Sequence, residues 1–100
     1  MQLNNAQRWF DFMDYLDNDL ELNVWHISLL VAIARLGYKQ NENGTIRVSR
    51  SKLMALAHIK TITSFHKYFK QLQELGYIKY VPSYHPDYRS TVEILKRQKE

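Results

Sequence analysis

The chain has 100 residues, of which 45% are hydrophobic and 24% are charged, and it contains no cysteine. This length fits one domain with a single core, and the lack of cysteine excludes disulfide bonds and thiolate metal sites. No apolar run reaches the roughly 18 residues of a membrane-spanning helix. The N-terminus lacks the basic-then-apolar pattern of a secretory signal, so we expect a cytoplasmic protein without a membrane partner.

The formal charge of +4 at pH 7 is unevenly distributed along the chain. Residues 1–34 contain Arg8 and five acidic residues, a net charge of −4, whereas residues 35–100 contain 13 Lys and Arg and five acids, a net charge of +8. An acidic N-terminal segment followed by a basic body indicates a polyanionic partner that meets one side of the molecule.

The first predicted element is a helix over residues 5–20. Trp9, Met13, Leu16 and Leu20 recur at helical spacing and form one apolar stripe. Other aromatic residues lie beside this stripe, which indicates contacts on more than one side of the helix. Packing within the chain and a dimer contact both fit this pattern. The polar residues 17–19 are expected to break the helix.

A second helix is predicted over residues 23–37. Asn23 is suited to cap its first turn, because the side-chain oxygen can accept a free backbone N–H. Gly37 is suited to the left-handed position that follows a helix. The run from Ile27 to Leu36 is apolar on nearly all sides, which predicts a central, buried helix.

A short strand and two more helices are predicted next. Residues 45–48 alternate and are rich in β-branched side chains, which is typical of a strand. Ser49 and Thr61 are suited to cap helices over residues 50–57 and 62–75, the second of which stops before Gly76. The apolar stripe of this last helix consists of Ile62, Phe65, Phe69, Leu72 and Leu75.

Two strands, 77–81 and 91–95, complete the pattern, and a loop over residues 82–90 with two prolines connects them. A short helix, a tight turn and a longer helix make a helix-turn-helix, and the hairpin that follows is its wing. We therefore predict a mainly α winged helix-turn-helix fold with the order α-α-β-α-α-β-β. It forms a single domain over residues 1–95, with two helices in 1–38, the motif and wing in 45–95, and a flexible tail over 96–100.

The longer helix of the motif, residues 62–75, is the expected recognition helix, whose N-terminal half would enter the DNA major groove. Residues 45–91 contain eight Lys and Arg and two acids, a net charge of +6. We therefore predict sequence-specific binding to double-stranded DNA. We expect Thr63, Ser64, His66 and Lys67 to read bases and the remaining candidates to hold the backbone. These are Arg50, Lys52, Lys60, Lys70 and, in the wing, Arg89. Thr61, at the entry of the helix, is a further DNA-contact candidate.

No pattern of catalytic or metal-binding residues competes with this interpretation. The four histidines lack metal-ligand spacing, and the chain has no glycine-rich phosphate loop. Asp11, Asp14 and Asp17 repeat every three residues, which is typical of a solvated helix face. We expect no enzyme, cofactor or metal. Tyr77 and Tyr80 are expected in the core or in strand pairs. The role of the loop aromatics, as stacking groups for nucleic acid or as anchors of the loop, stays open for Tyr84, His85 and Tyr88.

Several segments carry a family resemblance: VSRSKLM at 48–54, IKT at 59–61, FHK at 65–67, LQELGYI at 72–78 and YVPSYHP at 80–86. Together they resemble small winged-helix proteins from mobile elements of Bacteroidetes-type bacteria. With the preceding helix pair the resemblance covers about nine tenths of the chain. It implies a transcriptional regulator or an excisionase-like accessory factor of DNA recombination. The fold is also similar to the N-terminal winged helices of replication initiators.

The main alternative is a winged-helix module that binds a protein and has only weak affinity for DNA. Its partner would be a recombinase, a replication initiator or another element-encoded protein. The docking surface would be the acidic N-terminal helix or the aromatic wing. The sequence leaves the DNA site and the oligomeric state open, and a homodimer fits either interpretation.

Overall fold

The computed structural model describes residues 11, 14, 16, 18–41, 44–85 and 89–95. Over these residues the helices and strands with defined ends are α1 (Val24–Gln40), β1 (Thr45–Arg47), α2 (Arg50–Ala57), α3 (Ile62–Glu74), β2 (Ile78–Val81) and β3 (Thr91–Ile94). Helices dominate, and the strands form one three-stranded antiparallel sheet in the order β1-β3-β2. From α1 onward, the element order is the one that the sequence predicted.

The N-terminal segment is helical at Asp11, Asp14 and Leu16, in agreement with the predicted first helix. Asn18 already lies in a turn, so the helix ends before residue 18 and not at residue 20. Leu16 is buried, but Leu20 is 97% exposed, and its predicted place in the apolar stripe is wrong because it lies beyond the helix. Trp9, Met13 and the predicted tail over 96–100 lie outside the described residues.

Helix α1 is the centre of the fold, since it packs against α2, α3 and β1. Its first turn is closed by a capping box in which the Asn23 side chain accepts from the His26 N–H and His26 Nδ1 accepts from the Asn23 N–H, at 3.1 and 3.0 Å. The expected end at Gly37 is wrong. The helix continues to Gln40, and Asn41 takes the left-handed position with φ of 57°.

The predicted central, buried position of α1 is confirmed for most of the run from Ile27 to Leu36, in which six of the ten residues are buried. The side that meets the core carries Leu29, Leu30, Ile33 and Leu36, but Val31 lies on an exposed face. A helix that packs on three neighbours still leaves one face to solvent, and its apolar residues are then exposed.

The turn between α2 and α3 fixes the angle between these helices. His58 ends α2 in the left-handed conformation with φ of 60°, and the Ile59 N–H donates to the Met54 carbonyl at 3.0 Å. Ile59 is buried in the core. The Thr61 hydroxyl then caps α3 by accepting from the Ser64 N–H at 3.1 Å, as predicted. Ser49 caps α2 in the same way.

The sheet pairs the two closing strands and adds β1 at the far side of β3. Ile46 lies opposite Val92 in the β1–β3 pair, and Tyr80 lies opposite Val92 in the β2–β3 pair. Ile46, Ile78 and Val92 are buried, so one face of the sheet meets the helices. In the described part of the chain, no helix is both long and apolar enough to cross a lipid bilayer.

Candidate nucleic-acid interface

The buried side of α3 sets the direction of its exposed side chains. Phe65, Phe69 and Leu72 lie in the core, and the rings of Phe65 and Phe69 stack with centroids 5.0 Å apart. Ile62, predicted as part of this stripe, is exposed. At 100° per residue the outward face of α3 is the one that carries Thr63, Lys67 and Lys70.

A second set of contacts fixes α3 against α1. His26 Nε2 lies 2.7 Å from Gln71 Oε1, and because Nδ1 already accepts from the Asn23 backbone, Nε2 is the donor. Tyr68 lies edge-on to the His26 ring and stacks on Trp25. In the sequence His26 stands apart from the other histidines, and no role was predicted for it. The signal for its capping role was its position three residues after Asn23.

The predicted base-reading residues differ in their exposure. Thr63, His66 and Lys67 are exposed, whereas Ser64 is half-buried on the side of α3 that also carries Tyr68. The Lys67 ammonium lies over the Tyr68 ring, 5.3 Å from its centroid. His66 lies on the other flank, against the edge of Phe65. Lys60 and Thr61 are exposed just before the helix begins.

A groove of about 340 Å³ runs between α3, the start of α2 and the sheet. Its floor is apolar and aromatic, with Phe65, Phe69 and Tyr80, and the Tyr80 ring meets Phe69 edge-on at 5.0 Å. Arg50, His66 and Lys70 line its rim. The structure therefore brings together three of the predicted contact residues, from two different helices.

A basic pocket of about 240 Å³ lies at the other side of the α2 N-terminus. Three cations from three segments line it: Arg47 at the end of β1, Lys52 in the first turn of α2, and Arg89 just before β3. Sequence reasoning missed Arg47 as a site residue. The alternation of side chains along the strand could have identified it, because it directs Arg47 outward between the buried Ile46 and Val48.

The Gln40 side chain holds the backbone beside this pocket. Its Nε2 donates to the Arg47 carbonyl at 2.8 Å, and its Oε1 accepts from the Arg47 N–H at 3.0 Å. The two bonds satisfy the backbone N–H and carbonyl of Arg47 on the outer edge of β1, which has no further strand beside it in the described sheet. The position of Arg47 thus depends on the last turn of α1.

The groove and the basic pocket form one continuous surface, because Val48 and Ser49 line both. Among the described residues, five Lys and Arg side chains and no acidic side chain line the two cavities. Within the described ranges, none of these five cations has an ion-pair partner. Clustered cations of this kind produce a positive electrostatic potential at the surface. We call it the basic face; its cations are Arg47, Arg50, Lys52, Lys70 and Arg89.

The described part of the loop between β2 and β3 is largely exposed. The Tyr84 side chain is 92% exposed, so it does not anchor the loop to the body of the protein. The Ser83 N–H donates to the Ser90 hydroxyl at 3.0 Å, which ties together the two ends of the loop. Tyr77 is fully buried and Tyr80 packs on the core, as predicted. Tyr88 lies outside the described residues.

None of the described acidic residues lines either cavity of the basic face. Asp11 and Asp14 are exposed on the N-terminal helix, while Asp19 is buried and accepts a hydrogen bond from the Tyr77 hydroxyl. Asp19 is therefore part of the core. Among the described residues, no three His, Asp or Glu side chains are placed to share a metal ion.

Comparisons with models of protein families, with curated proteins and with solved structures find no match to this chain.

Proposed function

We propose that this chain is a winged helix-turn-helix protein that binds double-stranded DNA, with α3 in the major groove and the loop between β2 and β3 as its wing. The observation that carries this proposal is the basic face, where five cations, and no acid in the part of the chain that the structure describes, line the cavities beside the N-terminus of α2 and one flank of α3. The antiparallel sheet order β1-β3-β2, with α2 and α3 inserted between β1 and β2, supports the winged-helix assignment.

The roles of the side chains follow from where they lie. Thr63 and Lys67 project from the first half of the outward face of α3, so they are the base-reading candidates. The cations of the basic face would bind phosphates on one side of the DNA groove that α3 enters. The capped N-terminus of α2 adds free backbone N–H groups directed at the same anions.

Within this proposal, the protein acts as a transcriptional regulator or as an accessory factor of DNA excision and recombination. Binding and positioning of DNA are sufficient for either role, so no catalytic group is required of the chain.

The experiment begins with selection of bound duplexes from a random pool, followed by fluorescence anisotropy on the selected and a scrambled duplex. Lys67→Ala should weaken the selected site by about 5- to 150-fold, since a base-contacting residue contributes about 1–3 kcal/mol. The affinity for the scrambled duplex should fall much less. Lys70→Ala should weaken both duplexes alike, because a phosphate contact carries no sequence information.

Lys79→Ala is the matched control. It removes the same charge from an exposed lysine that lies on β2 and lines neither cavity. We expect it to bind both duplexes nearly as the native chain does. Equal losses for Lys67→Ala and Lys79→Ala would disprove the assignment of α3 as recognition helix.

A protein-docking module is the second candidate, and the exposure of Tyr84 favours it. An aromatic side chain as exposed as Tyr84 is a common anchor at protein interfaces. This function predicts that the selection recovers no preferred sequence and that the DNA affinity is weak at physiological salt.

A further inference from the structure

The exposed face of α1 carries apolar side chains at a regular spacing. Val24, Val31 and Tyr38 are separated by seven residues each and are 68%, 39% and 72% exposed. At seven residues per two turns they lie on one line along the helix. Single exposed apolar residues are common on protein surfaces, but a line of three along a central helix indicates a contact. We call these three residues the α1 stripe.

We infer that the α1 stripe binds the same stripe of a second copy of this chain, so that two α1 helices pack antiparallel around a two-fold axis at Val31. The spacing is self-complementary. Val31 of one copy would meet Val31 of the other, and Val24 would meet Tyr38. A two-fold contact requires one patch to match itself in this way.

The charges around the stripe favour the antiparallel direction. Arg35 and Lys39 are exposed in the second half of α1, whereas the exposed Glu21 lies just before its first turn. In a parallel pair, Arg35 and Lys39 would each lie beside the same residue of the second copy, and the like charges would repel. In an antiparallel pair, Lys39 lies near the Glu21 end of the other helix, and the helix dipoles also oppose one another favourably.

The position of the stripe leaves the basic face free. α1 packs on α2, α3 and β1 through its opposite side, so neither cavity lies between the two copies. The inference therefore does not depend on DNA binding, and it is tested without DNA. A 17-residue helix is about 25 Å long, so the helix pair covers less than the roughly 800 Å² per partner of a standard interface. We expect a dissociation constant in the micromolar range.

The decisive experiment places opposite charges at the two-fold axis. In sedimentation equilibrium, the native chain should pass from monomer to dimer as its concentration rises to about 300 μM, well above a micromolar Kd. Val31→Glu and Val31→Lys should each be monomeric, because two like charges meet at the axis. An equimolar mixture of the two variants should recover the dimer.

Ala55→Glu is the matched control, since it adds the same charge to an exposed helical position on α2. It should dimerise as the native chain does. A native chain that stays monomeric would overturn the inference, and so would a Val31→Glu variant that still dimerises or a mixture of the two variants that stays monomeric.

A second measurement tests the same contact with a small substitution, in case a charge at the half-exposed Val31 prevents folding. The chain has no cysteine, so Val31→Cys introduces a single thiol. Mild oxidation should convert it to a disulfide-linked dimer at low concentration, because the two-fold axis brings both thiols together. Ala55→Cys should stay largely monomeric. Equal cross-linking of the two variants would refute the contact at Val31.

Discussion

Asp19 and Tyr77 form a buried contact that joins the segment before α1 to the beginning of β2. The Tyr77 side chain is fully buried, and its hydroxyl donates to one carboxylate oxygen of Asp19. The other carboxylate oxygen accepts from the Glu21 N–H at 3.0 Å. The Tyr77 carbonyl also accepts from the Leu95 N–H at 2.8 Å. Tyr77 therefore connects the segment before α1, the beginning of β2 and the end of β3.

Tyr77→Phe removes the hydroxyl and leaves a buried carboxylate with one donor fewer. We expect the free energy of unfolding to fall by about 1–3 kcal/mol, the cost of leaving a buried polar group without its partner. Urea denaturation followed by circular dichroism measures the change. Tyr84→Phe is the matched control and should be neutral, since its side chain is almost fully exposed. A Tyr77→Phe variant as stable as the control would show that the bond contributes nothing.

The sequence predicted the burial of Tyr77 but not its partner. Its position between two apolar segments was sufficient to place the ring in the core. Asp19 lies 58 residues away, and in the sequence it is one of several acids in an acidic segment. Local patterns cannot identify a contact of this separation, so Asp19 was interpreted as part of a polar break.

At the scale of the elements, helix starts were more predictable than helix ends. Asn23, Ser49 and Thr61 all cap as expected, because an N-cap bond joins residues that are two or three apart. Gly37 did not end α1, because the helix is stabilised further along by the Gln40 contact with β1. A glycine permits a left-handed turn but does not require one, and a contact with a distant strand decided the outcome.

Gly76 does end its helix as predicted, with φ of 86°. A Cβ added there would meet no atom within 4 Å, so Gly76→Ala isolates the cost of the backbone conformation. We expect a loss of about 1–2 kcal/mol in the free energy of unfolding, since alanine in the left-handed region is disfavoured by that amount. Thermal or urea denaturation measures it. Gly44→Ala, which is equally uncrowded and has no positive φ, should change stability far less. Equal losses would mean that the left-handed conformation is not the cause.

At the scale of the whole molecule, cations that are spread along the sequence lie together on the basic face. The predicted contact residues Arg50, His66 and Lys70 do meet in one groove, because helical spacing already defines which side of α3 is exposed. The basic pocket was less predictable. Arg47, Lys52 and Arg89 come from three segments, and only the pairing of β1 with β3 brings the ends of these strands together.

The basic face gives the proposed DNA complex a specific dependence on salt. If its five cations each neutralise a phosphate, the logarithm of the association constant should fall with the logarithm of salt at a slope of roughly −4 to −5. The double variant Lys52→Ala/Arg89→Ala removes two cations of the basic pocket, so the slope should become shallower by about 2. Lys39→Ala/Lys79→Ala removes the same charge from exposed positions outside both cavities and should leave the slope nearly unchanged. Anisotropy titrations on one duplex at several salt concentrations give all three slopes. If both double variants shift the slope equally, net charge and not the basic face attracts the DNA.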